Sequence, residues 1–141
     1  MQKALTLAIS LAALAPLLAL STAAEARSKG INCAKANSTY EINYCADRDF
    51  TAADKELNKT YRRAIRKTRE RDLDEPYDSA QYEGAMRKAQ RAWVGYRDAD
   101  CKHLTAQEWS GGTGTSAAVL GCMTEKTTTR TRELQERYEA E

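Results

Sequence analysis

The sequence predicts an all-α protein, a small antiparallel bundle of about three helices stapled by two disulfides. Three observations predict it. Proline-free stretches carry apolar residues at helical spacing. Two punctuating segments, LDEPYDS and SGGTGTS, separate those stretches. Four cysteines, an even number, come after an apparent export signal.

The N-terminus is taken first because it sets the compartment. Lys3 supplies a positive start, the apolar run LTLAISLAALAPLLAL comes next, and STAAEA offers small residues for cleavage, ending at Ala24 or Ala26. That is the layout of a secretory signal peptide over residues 1–26. Pro16 and the short length argue against a permanent membrane anchor. Cys33 is preceded by Lys29, Gly30, Ile31 and Asn32, which do not form a lipidation site. The expected product is therefore periplasmic or secreted, without a membrane span, and forms a single helical domain over residues 27–141.

Cleavage removes one base, Lys3, and one acid, Glu25, so the formal charge stays at +2. So weak a balance does not call for nucleic acid or a membrane surface as partner, and export argues against nucleic acid independently. About 115 residues suffice for one domain. With a single phenylalanine and 30% charged residues, the core must be modest, and covalent help is expected.

The first helix begins at Ser38, which with Glu41 forms a capping-box pattern. It runs to about Arg71 on Ile42, Cys45, Ala53, Leu57, Tyr61, Ala64 and Ile65, with a weak register and a possible break at Asp47–Thr51. Pro76 interrupts, and Asp78 or Ser79 can cap the next helix. This second helix spans about Ser79–Leu104, with the stripe Tyr82, Met86, Ala89, Trp93, Tyr96 and then Asp100 or Cys101. The segment Ser110–Ser116 reads as a flexible loop whose hydroxyls can cap a third helix, about Ser116–Glu139. Gly121 and the run Thr127–Thr129 weaken that helix.

Four cysteines allow three pairings. Antiparallel neighbours bring the end of the second helix to the start of the third, and the lead-in can fold back on the first. The expected bonds are Cys33–Cys45 and Cys101–Cys122. A zinc site is disfavoured by wide spacings, the lack of a CxxC pair and the presence of one histidine, His103. No cofactor is implied.

Catalysis finds little footing. His103 has no nucleophile elbow beside it and reads as a surface residue. Asp98 and Asp100 are the pair to consider for glycoside hydrolysis, though carboxylates on such a helix ordinarily solvate it. SGGTGTS lacks the phosphate-cradle lysine. A basic run, Arg62, Arg63, Arg66, Lys67, Arg69 and Arg71, offers an alternative function, a non-catalytic envelope module gripping anionic cell-wall polymer. Within AQRAWVGYRDADC, Trp93 and Tyr96 read as packing anchors. Gln90 and Arg97 share a stripe that can meet Asp54 and Asn58, next to Leu57 and Tyr61. A hydrogen-bonded set such as Asp54–Arg97 would fix helix register.

These residues carry a resemblance. The order Cys33, Glu41, Cys45; Asp54, Leu57, Asn58, Tyr61; AQRAWVGYRDADC; the loop glycines; then Cys122, Thr127, Arg130 and Leu134 resembles the LprI-type lysozyme inhibitor family over nearly the whole mature chain. The resemblance implies a small, exported helical domain and a role against lysozyme, with lysozyme as protein partner and no catalysis. Lys126 stands where the family pattern favours an apolar residue, which predicts locally different packing of the third helix. A plug-like contact falls to Trp109, Thr113, Thr115 and Ser116, since loops carry function more often than helix faces do. Because lysozymes are usually basic, acidic patches at Asp72, Asp74, Glu75 and Asp78, or at Glu133, Glu136, Glu139 and Glu141, are further candidate surfaces.

Overall fold

The computed structural model describes residues 30–139. The predicted signal peptide, residues 1–26, lies outside them, and the helical unit begins at Cys33.

A short 3-10 turn, Cys33–Lys35, leads into α1, Thr39–Arg69. Both halves of the capping box form: the Ser38 hydroxyl accepts from the Glu41 N–H at 3.3 Å, and Glu41 accepts from the Ser38 N–H at 3.1 Å. The Ser38 hydroxyl also donates to the Glu41 carboxylate at 2.9 Å, and that bond first, then the N–H groups of Ser38 and Asn37, hold the carboxyl below its ordinary pKa. The long first helix read from the sequence is continuous through Asp47–Thr51, where its weak register left a break open. Asp47, Arg48 and Asp49 are simply exposed, which blanks the apolar pattern without supplying a helix breaker.

α2 spans Ser79–Asp98, capped by Asp78, whose carboxylate accepts from the Gln81 N–H at 2.7 Å. The helix continues through a π-helical stretch, Ala99–Thr105, to Glu108. α3 is Thr115–Tyr138. Its cap is Gly114, with no side-chain hydrogen bond, so the loop hydroxyls do not do the capping expected of them.

The fold is all-α among the described residues. Partner residues establish direction: Arg69 meets Glu83, Asp54 meets Arg97 and Gln90 meets Arg130, so α2 runs antiparallel to both other helices. Asp54 and Arg63 of α1 lie level with Thr127 and Glu139 respectively, so α1 and α3 run parallel.

The closest packing is between α1 and α3. Small side chains make it possible: Thr60, Ala64 and Thr68 on α1, and Thr127 and Thr131 on α3, are all buried. Interaxial distance falls as contact side chains shrink. Two of the buried hydroxyls are satisfied within their own helix, Thr68 donating to the Ile65 carbonyl at 2.8 Å and Thr131 to the Thr127 carbonyl at 2.9 Å. Of the threonine run that weakens the third helix on propensity, Thr127 is the one that seats it, together with Thr131. Around them Leu57, Ile65, Met86 and Leu134 form the apolar core, with Tyr61, Trp93 and Tyr138 packed at its edge.

The disulfides are Cys33–Cys45 and Cys101–Cys122, as the helix arrangement predicts, with Cα–Cα separations of 5.7 and 5.6 Å. The first ties the lead-in to the second turn of α1. The second joins α2 to α3 across the glycine loop.

The α2 stripe differs from expectation. Ala89 is exposed and Tyr96 is 57% exposed, whereas Gln90 is half-buried and Arg97 buried. The inward face passes through two polar residues, which a hydrophobicity count skips in favour of their apolar neighbours.

Candidate functional site

Arg97 is the centre of the polar residues singled out in the sequence. It is 6% exposed, near the C-terminal end of α2. Its guanidinium donates to Asp98 Oδ1 at 2.9 Å and to the Thr127 hydroxyl at 3.3 Å, and pairs with Asp54 at 3.5 Å. The rings of Phe50 and Trp93 flank it at 5.5 and 5.3 Å. Asn58 donates to Asp54 at 2.8 Å. Gln90 accepts from Arg130 at 3.1 Å, and Arg130 also lies over Trp93 at 5.9 Å. The structure thus links Asp54, Asn58 and Arg97 in one network and places Gln90 with Trp93 through Arg130. Tyr61 lies at the core edge instead.

Tyr96 does not pack as an anchor. At the surface it meets Lys126, whose ammonium donates to the phenol at 3.2 Å and pairs with Asp100 at 2.9 Å. Those partners, Asp100 first, raise the Lys126 pKa. They also account for a lysine at a position where an apolar residue is expected: its ammonium has the Asp100 carboxylate and lies 4.9 Å from the centre of the Tyr96 ring.

Sequence reasoning misses Phe50 and gives no role to Thr127 and Arg130 beyond the family pattern. Phe50 lies one helical turn before Asp54, and this (i, i+4) spacing places it on the same face. That spacing is the signal that could have found it, but the apolar pattern fades around it.

Two features bear on catalysis. Burial pushes the Asp98 carboxyl up, but Lys102 and Arg97 together draw it below its ordinary pKa, so it stays ionised. A glycosidase acid needs the reverse shift. His103 is exposed on the π-helical stretch. The sulfurs of Cys101 and Cys122 approach the Asp100 carboxylate but are bonded to each other, so they offer no thiolate to a metal.

The glycine loop is closed by its own backbone hydrogen bonds. Backbone bonds run from Trp109 to Thr105, Gly112 to Trp109 and Thr115 to Gly112. Ser110 and Gly111 turn the chain at φ of 51° and 70°. The Trp109 ring lies over Gly114, where a Cβ would stand 2.5 Å from the indole. The indole is nevertheless 52% exposed. Thr113 and Ser116 are exposed, whereas the Thr115 hydroxyl oxygen is buried, which sets Thr115 apart from the other three.

The basic run presents less charge than its composition suggests. Arg63 is paired with Glu139 at 2.7 Å and Arg69 with Glu83 at 3.0 Å, while Arg71 lies over Tyr82 at 5.6 Å. The grip on anionic polymer that the sequence suggests gains no support, and two of its six cations, Arg63 and Arg69, are engaged by carboxylates of the molecule itself.

Fold and site together define a disulfide-stapled three-helix protein whose central polar residues are occupied with one another. The chain belongs to the LprI family: the family model described as "Lysozyme inhibitor LprI" matches residues 32–134. It is 43% identical to an uncharacterised protein of Rhizobium meliloti (strain 1021), over 91% of this chain and 94% of that one. It is 31% identical to the uncharacterised protein YecT of Escherichia coli (strain K12), over 67% of this chain and 60% of that protein. No solved structure matches.

Proposed function

We propose that this protein works outside the cytoplasm as a non-catalytic inhibitor that binds a lysozyme and occludes its sugar cleft. The observation carrying the proposal is membership of an inhibitor family across residues 32–134. Two disulfides fit an oxidising compartment. Export through residues 1–26 is part of the proposal. No helix among the described residues is long and apolar enough to cross a membrane.

The plug in this reading is the loop between α2 and α3. The Cys101–Cys122 bond pins its base and the Trp109–Gly114 contact holds its tip. A loop already ordered loses little entropy on docking. A half-exposed tryptophan flanked by the hydroxyls of Thr113 and Ser116 combines an aromatic anchor with hydrogen-bonding groups.

The test is a turbidity assay of lysozyme acting on bacterial cells, with oxidised mature protein added at two salt concentrations and a reduced control. Dose-dependent slowing, lost on reduction, is the expected result. The variant Trp109→Ala with Thr113→Ala and Ser116→Ala should weaken inhibition at least about tenfold while melting as the parent does. No slowing of c-type, g-type or i-type enzymes would end the proposal. Unchanged inhibition by the variant would end the assignment of the loop.

A further inference from the structure

The connection between α1 and α2, at the end of the bundle away from the glycine loop, holds a groove with no part in the Arg97 network. Its volume is about 660 Å³, and its lining includes Arg71, Asp74, Glu75, Tyr77, Asp78 and Tyr82. Tyr77 is 69% exposed, the highest value among the large apolar side chains left at the surface of the described residues. Asp78 is engaged in capping α2, and Arg71 lies over the Tyr82 ring. Asp74 and Glu75 precede the exposed tyrosine closely in sequence, and Asp72 adds a further carboxylate nearby along the chain.

Charge here runs against the rest of the molecule. Three carboxylates line the groove against one guanidinium, in a chain whose overall charge is +2. We infer that this groove docks a basic segment of a partner protein, accepting a lysine or arginine side chain against Tyr77 with its charge met by Asp74 and Glu75. An ammonium or guanidinium gains from a tyrosine face and from carboxylates together, and the apolar part of the lining covers its aliphatic stem. A neutral saccharide could stack on Tyr77 but would leave the carboxylate excess without counter-charge. A local carboxylate excess on a chain of net positive charge favours basic partners at this groove, which orients the encounter. The partner's identity rests on the inhibitor reading; the groove's chemistry rests on its own residues.

The experiment follows the amide resonances of the ¹⁵N-labelled, oxidised mature protein. Three probes are titrated: a lysine-rich hexapeptide, chitotetraose and c-type lysozyme. Peptide and lysozyme should perturb the amides of Leu73–Tyr82, with affinity falling as salt rises, and chitotetraose should not. Asp74→Asn combined with Glu75→Gln should raise the peptide Kd at least about tenfold, and Tyr77→Ala, at an exposed position, should weaken it independently. Peptide shifts centred elsewhere, or parent-like binding by both variants, would overturn the inference. So would groove shifts with chitotetraose alone. Lysozyme binding that leaves these amides silent removes the groove and keeps the inhibitor reading. Peptide binding in the groove without any lysozyme binding does the opposite.

Discussion

Replacing Arg97 with alanine tests whether the central network holds the helices in register. The side chain is 8% exposed, and its loss removes hydrogen bonds to Asp98 and Thr127, one longer ion pair and two ring contacts. Breaking a fully buried pair costs about 3–5 kcal/mol, because a charge is left dry and unpartnered. Here the stranded carboxylates are not dry: the Asp54 and Asp98 side chains are 41% and 31% exposed and can rehydrate. The Asp98 contact is also local, to the next residue, so it does not tie one helix to another. What is lost is mainly the Thr127 bond, the cover on Phe50 and Trp93, and the buried stem. That amounts to about 2–3 kcal/mol, or about 10 °C in Tm for a domain of this size. Urea unfolding of the oxidised mature protein, followed by circular dichroism, measures it. Asp54→Asn and the double variant complete a cycle, whose coupling should be about 1 kcal/mol for a half-solvated pair. A cost below about 0.5 kcal/mol for Arg97→Ala would refute the claim that this residue fixes register.

The remaining expectations concern the staples, the loop and one acid paired with two arginines. Replacing Cys101 and Cys122 together by serine opens a loop of sequence separation 21 and should cost about 3 kcal/mol in the chain-entropy treatment, read from the urea midpoint under non-reducing conditions. Gly114→Ala would drive a methyl into the Trp109 indole and should turn it out of the loop, seen as a red shift of tryptophan emission in a Trp93→Phe background; unchanged emission would contradict the packing. The Glu83 carboxyl is drawn from its ordinary 4.5 to about 2 by hydrogen bonds from Arg69 and then Arg87. A folded pKa below the unfolded one stabilises above about pH 4.5, and that contribution fades as pH falls toward 2. Glu83→Gln should therefore lower Tm at neutral pH and converge with the parent in acid; parallel curves would show that the ion pairs add nothing.

Much of this molecule was legible because much of it is local. The capping box needs only Ser38 and Glu41, three residues apart. The connection at Pro76 and the glycine loop are written in residues that bias their own backbone. The continuity of α1 was not legible, because exposed Asp47, Arg48 and Asp49 erase the periodic signal while leaving the helix intact. At Ala89 and Tyr96 the apolar stripe misled, because half-buried Gln90 and buried Arg97 turn inward to partners on α3 and α1, among them the Asp54 that the sequence reading set against Arg97. The loop hydroxyls look equivalent in sequence, and only the fold shows that Thr115 has its oxygen buried.

The sequence by itself determined the helices, their order and the pattern of the family, and it narrowed the cysteine pairings once neighbouring helices were taken as antiparallel. Each depends on residues near one another along the chain or on a motif read in place. Only the tertiary structure decided that α1 and α3 are the closest neighbours, that threonines form their seam, and that Lys126 settles between Asp100 and Tyr96. Those outcomes join residues tens of positions apart. Helical propensity and hydrophobic count carry no information on such distances, whereas close packing of small side chains selects among them.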